Sequence, residues 1–171
     1  MKSKTTRQIA IIGLFTAMAV ALHIAEALLP NPVAVPGVKL GLANLITLIM
    51  LFMYPFSWTL EVVLLRVVIG GLLTGLFFSW AFLLSLAGAL TALVVMAALR
   101  KLPRPPSVIG VSVAGAAAHN IGQLAVASLM VQQQVLLFYL PILLVSAIPT
   151  GLLIGVAAKF LLDRISPLGL Q

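Results

Sequence analysis

Polar side chains that could do chemistry are few in this chain, and most of them interrupt apolar runs. His23, Glu26, Asn44, Arg66, His119, Asn120 and Gln123 all stand among aliphatic residues, and Lys39 precedes one such run. An ionisable group at membrane depth costs several kcal/mol unless it is paired or faces water, so each of these requires a reason. On a wheel of about 100° per residue, Ser112, His119, Gln123 and Asn120 fall within about 100° of arc and form one polar stripe. Arg66 is set among Leu64, Leu65, Val67 and Val68. Its planar guanidinium is suited to gripping a carboxylate or phosphate in two places. Lys39 and Arg66 against Glu26, with both histidines neutral, give about one net positive charge, which suits a small anionic or zwitterionic substrate. Each residue also has a structural reading. Lys39 fits a solvated loop charge, His23 and Glu26 fit snorkelling to an interface, Asn44 fits a helix-packing hydrogen bond, and Arg66 fits a partner of Glu26.

The chemistry that the sequence excludes is broader. There is no cysteine, so disulfides, thiolate metal sites and cysteine nucleophiles are ruled out. No phosphate-binding G-x-x-x-x-G-K-[ST] loop is present, so ATP hydrolysis would have to come from partner chains. The two histidines lack an H-E-x-x-H spacing, and Glu26, Glu61 and Asp163 are scattered. We therefore expect no catalytic residue, no metal and no cofactor. The chain reads as a binding protein rather than an enzyme.

The elements that must position these groups follow from hydropathy. Of 171 residues, 63% are hydrophobic and 8% charged, and mean hydropathy is +1.25. Too few polar residues remain to cover a water-facing surface, so lipid must face much of the chain. A crossing takes roughly 20 helical residues. On that measure the sequence predicts an all-α membrane protein, a single domain of six transmembrane helices over about 9–29, 40–53, 56–73, 76–99, 108–131 and 135–162. Pro30, Pro32, Pro36 and Gly37 mark the first loop, Tyr54 and Pro55 a tight turn, and Gly70, Gly71 and Gly75 a second turn. The polar residues then converge on the outer half of the bundle, and the inner half holds little besides Glu61. Formal net charge is +7. The basic residues lie mostly between apolar runs, which reads as membrane orientation and not as nucleic-acid binding. Lys2, Lys4, Arg7, Arg100, Lys101, Arg104, Lys159 and Arg164 fall on one side and Lys39 on the other. Both termini are expected in the cytoplasm, with the chain multi-pass in a prokaryotic cell membrane.

The first helix has two faces. Gly13, Ala17, Ala21 and Ala25 recur every four residues and sweep about 120° as one smooth stripe, with His23 and Glu26 roughly opposite. Such a stripe serves either internal packing or docking of a partner subunit. The Gly13, Ala17, Ala21 stripe, the segment PGVKLGLAN at 36–44 and the six-helix plan together resemble the Gx transporter family, often labelled heptaprenyl diphosphate synthase component I. That family is similar to the S components of energy-coupling factor transporters. The resemblance covers nearly the whole chain. It implies an S-component-like bundle that binds a vitamin-like solute from outside, beneath the loop between its first two helices. It also implies docking through Ala17 and Ala21 on a transmembrane coupling subunit that carries two ATPase subunits. The synthase label sits badly with a single Asp in the chain, but it admits an isoprenoid- or quinone-related ligand. Two other roles remain open: an accessory subunit of prenyl diphosphate synthesis without activity of its own, and a membrane-embedded enzyme acting on a lipid through His119 or His23.

Orientation is directly testable, because the native chain offers no competing thiol. In intact cells Ser107→Cys should be protected from an impermeant thiol reagent and Gln133→Cys should react. The reverse labelling pattern would overturn the predicted orientation.

Overall fold

The computed structural model describes residues 5–28 and 40–165, and within them the chain is helical without a strand. In order the elements are α1 (Thr6–Leu28), α2 (Leu42–Met53), α3 (Phe56–Leu73), α4 (Trp80–Arg100), α5 (Val108–Val131), a 3-10 segment (Gln134–Tyr139) and α6 (Leu140–Ile165). Five of these, α1, α3, α4, α5 and α6 with its preceding 3-10 turn, are long and apolar enough to cross a membrane. α2 is not. Its 12 residues extend only about 18 Å, well short of the roughly 30 Å of bilayer hydrocarbon. A helix apolar on every side belongs in an interior, and α2 is packed against α1, α3, α4 and α6. Ile46, Leu48, Met50 and Leu51 are fully enclosed there.

Alternation of the helices gathers Arg7, Arg100, Lys101, Arg104, Lys159 and Arg164 at one end of the bundle, called here the basic end. The turn between α2 and α3 lies there too, since Arg100 of α4 donates to the Phe52 carbonyl at 3.2 Å. Tyr54 and Pro55 make that turn as the sequence predicts, with Tyr54 extended and its ring stacked on Trp58.

Three expectations need correction. α4 begins at Trp80 and not at 76, because Gly75 (φ 69°) and Phe78 (φ 58°) both take left-handed backbone and Ser79 caps the helix, its Oγ accepting from the Phe82 N–H. Gly70 and Gly71 do not turn the chain. They lie inside α3, where a methyl at Gly71 would stand 2.9 Å from the Phe82 ring and one at Gly70 3.1 Å from His23. Finally, the apolar run expected at 135–162 divides, since Gln132 ends α5 in a left-handed conformation and a 3-10 turn precedes α6. Lys39, the proline-rich loop, Lys2 and Lys4 lie outside the described residues.

The closest helix contacts are α4 with α5 and α5 with α6. Without a hydrophobic drive between helices in lipid, close approach over small residues supplies the dispersion energy. Gly122 of α5 abuts Thr91 of α4, whose hydroxyl donates across the interface to the Ala118 carbonyl at 3.0 Å. Gly151 and Gly155 of α6 bring its backbone onto α5, where added methyls would stand 2.6 Å from Val113 Cα and 2.8 Å from Ile109 Cα. The stripe on α1 behaves differently. Gly13, Ala17, Ala21 and Ala25 are all exposed, and among the described residues nothing lies within 4 Å of a methyl placed at Gly13. Internal packing is therefore not its role within this chain.

Gly155→Ala should lower stability by about 1–3 kcal/mol, because backbone atoms cannot yield as a side chain does. Gly13→Ala should leave the thermal midpoint in detergent unchanged or slightly raised. Equal midpoints for the two variants would contradict this packing.

Candidate functional site

The half-length of α2 creates the site. A helix that begins below the membrane surface leaves orphan N–H groups where water is scarce. Glu26 of α1 answers them: Oε1 accepts from the Gly41 N–H at 2.6 Å and Oε2 from the Leu42 N–H at 3.2 Å. A carboxylate at a helix amino terminus also faces the positive end of the helix dipole. Gly41 is the N-cap residue with φ 80°, a conformation that favours glycine and aims its N–H at Glu26. One turn further, the Asn44 Oδ1 accepts from Arg66 Nη2 of α3 at 3.2 Å. Arg66 is only 4% exposed. Its Nε is buried without a hydrogen-bond partner among the described residues. The hydrogen bonds of Glu26 and Arg66 thus run to α2 and not to each other.

These groups face a narrow, partly open cavity. His23 and Glu26 come to its wall from α1, Asn44 from α2, Arg66 from α3, and His119 and Asn120 from α5. Asn120 is anchored as it does so, donating from Nδ2 to the Leu143 carbonyl of α6 at 2.8 Å. Gln123 is not on this wall. It lies with His119 against Gly88 of α4, where the absence of a Cβ makes room for both side chains.

Several wall residues escaped the reading of the sequence. Ser85 of α4 and Thr150 of α6 contribute hydroxyls, while Met96 and Ile154 supply apolar surface. Small polar residues in apolar helices usually bond their own backbone, as Thr150 does with the Ser146 carbonyl at 3.0 Å. Only tertiary position separates a wall hydroxyl from such a one. The cavity also runs deeper than an outer-half pocket. Ser112 and Met96 lie within about a turn of the basic ends of α5 and α4, and Gly115, Ala116 and Gly151 also line the cavity.

Chemically, the wall offers one buried guanidinium, a carboxylate already engaged by a helix terminus, two imidazoles, two amides and three hydroxyls over an apolar floor. That set recognises a small ligand by charge and hydrogen bonds. Among the described residues no three His, Cys, Asp or Glu gather as a metal site would require.

No curated protein and no solved structure matches the chain. A family model described as heptaprenyl diphosphate synthase component I matches residues 15–161. That span takes in parts or all of each helix and every residue of the cavity wall. With most of its length so matched, the chain belongs to the heptaprenyl diphosphate synthase component I family.

Proposed function

We propose that this membrane protein is the substrate-binding subunit of an importer of the energy-coupling factor type, taking a small anionic or zwitterionic solute. The observation that carries the reading is Arg66, a buried cation on a polar cavity wall whose bonded partner, Asn44, is neutral. Glu26 on the same wall offsets part of this charge from a distance, but its oxygens are engaged by the Gly41 and Leu42 N–H groups, and a bound anion would supply the direct contact that a buried cation favours. The cavity is partly open, with a few polar groups among apolar lining residues, as a site for capture of a solute requires. In this reading the chain is not an enzyme, and ATP hydrolysis belongs to partner subunits.

The exposed face of α1 supports the same proposal. Gly13, Ala17 and Ala21 turn away from the cavity, so a coupling subunit docked there would not touch the ligand. A second reading draws on the family description: an accessory subunit of prenyl diphosphate synthesis that binds no solute of its own.

Ligand capture separates these two. Native mass spectrometry of the protein purified in detergent should find a co-purifying small anion in wild type, with affinity falling about ten- to hundredfold in Arg66→Gln and less in Arg66→Lys. Thermal midpoints measured alongside identify a purely structural arginine: wild-type affinity with a lowered midpoint would remove Arg66 from the site and the anionic substrate with it.

Docking has its own test. Ala17→Trp and Ala21→Trp should abolish co-purification with a coupling subunit and leave the thermal midpoint unchanged, since both positions are exposed. Retained co-purification would exclude the stripe as the docking face.

A further inference from the structure

The central cavity has a side branch. A second, partly open hollow shares His23, Glu26 and Ser85 with the first and lies beside it between α1 and α4. α1 packs on α2 and α3, and α4 on α5 and α3, so α1 and α4 have no packed interface of their own. The floor of the branch is Val67, Gly71 and Phe82, all buried. Its mouth is rimmed by Ala27, Thr74, Leu76 and Ala81, all exposed, at the end of the bundle away from the basic one. The two hollows therefore adjoin at His23, Glu26 and Ser85. The first holds the guanidinium, and the second has His23, Glu26, Thr74 and Ser85 on its sides and rim over a floor of Val67, Gly71 and Phe82.

From this adjacency and the apolar floor, and resting on the reading of the cavity as a binding site, the geometry points to an amphiphile as the substrate class: an anionic head held at Arg66 and an apolar tail lying over Val67 and Phe82 between α1 and α4. A wholly polar solute would leave the branch wet against Val67, Leu76 and Phe82. A tail removes that apolar surface from water, and each buried methylene adds to affinity. The mouth lies between the last turn of α1 and the first turn of α4, at the end of the bundle away from the basic one, which gives a tail entry at the bilayer interface. The glycine at 71 belongs to the same device. A methyl there would push on the Phe82 ring and narrow the branch.

The test uses the full chain in phosphatidylcholine nanodiscs. The probes are dodecyl phosphate and dodecanoate, each also made with a diazirine near the tail end, and methyl phosphate, acetate and dodecanol serve as truncated competitors. Irradiation should label peptides containing Leu76 and Phe82. Unlabelled dodecyl phosphate or dodecanoate should suppress labelling at concentrations about tenfold or more below those of the matching short anion or of dodecanol. Ala27→Trp and Ala81→Trp, at exposed rim positions that tolerate bulk, should reduce labelling about tenfold and leave Arg66-dependent protection by methyl phosphate or acetate intact. If a short anion binds in an Arg66-dependent way and the tail adds nothing, the amphiphile is excluded and a polar solute stands. If labelling survives Arg66→Gln unchanged, the branch is a lipid groove and the inference falls. Should neither long nor short anions bind in an Arg66-dependent way, both this inference and the binding-subunit reading are overturned.

Discussion

The contact on which the rest of this structure depends is the carboxylate of Glu26 on the amino terminus of α2. α2 extends about 18 Å and its successor α3 about 27 Å, so the first residues of α2 sit below the level at which α3 ends. In lipid, open backbone donors at that depth would cost several kcal/mol each. Glu26 takes two of them, and its charge is favoured by the helix dipole. The same contact ties α1 to α2 and so fixes which face of α1 turns inward. His23, one turn away, is carried to the cavity, and the smooth stripe is carried to the outside.

A short central helix also explains why there is a cavity. Four longer helices, α1, α3, α4 and α6, pack around α2, and among the described residues no helix fills the space above its first turn. Arg66 reaches into that space from α3 and is held by Asn44, the residue one turn into α2. The segment PGVKLGLAN thereby acquires a physical account for its described part. Gly41 supplies the left-handed cap, its N–H and that of Leu42 bind the carboxylate, and Asn44 orients the guanidinium.

The bundle is unequally packed. α4, α5 and α6 approach one another over Gly88, Gly115, Gly122, Gly151 and Gly155, whereas α1 contacts only α2 and α3 extensively. The tight group forms one wall of the cavity, and α1 with the start of α2 forms the other. Recognition groups are thus divided between a closely crossed wall, bearing His119 and Asn120, and a less enclosed one, bearing His23 and Glu26. The branch between α1 and α4 lies where these two parts meet.

Much of this was legible in the residues. Hydropathy gave six helices, because apolar runs and the turn residues between them need no tertiary information, but it counted α2 as a crossing, for which its 12 residues are too short. The Tyr54–Pro55 turn followed from proline chemistry, and the opposition of His23 and Glu26 to the Gly13, Ala17, Ala21 stripe followed from helical periodicity alone. Rarity of polar groups in apolar runs likewise singled out Arg66, Asn44, His119 and Asn120. Three things were decided only in space. Gly70 and Gly71 look like turn residues but serve close approach inside α3, and a glycine's role depends on what stands opposite it. Ser85 and Thr150 look like ordinary helix hydroxyls until the fold sets them on a cavity wall. Most of all, the partner of Glu26 could not be read from the chain, since a backbone N–H carries no sequence signature and is left open only when a helix begins where water does not reach.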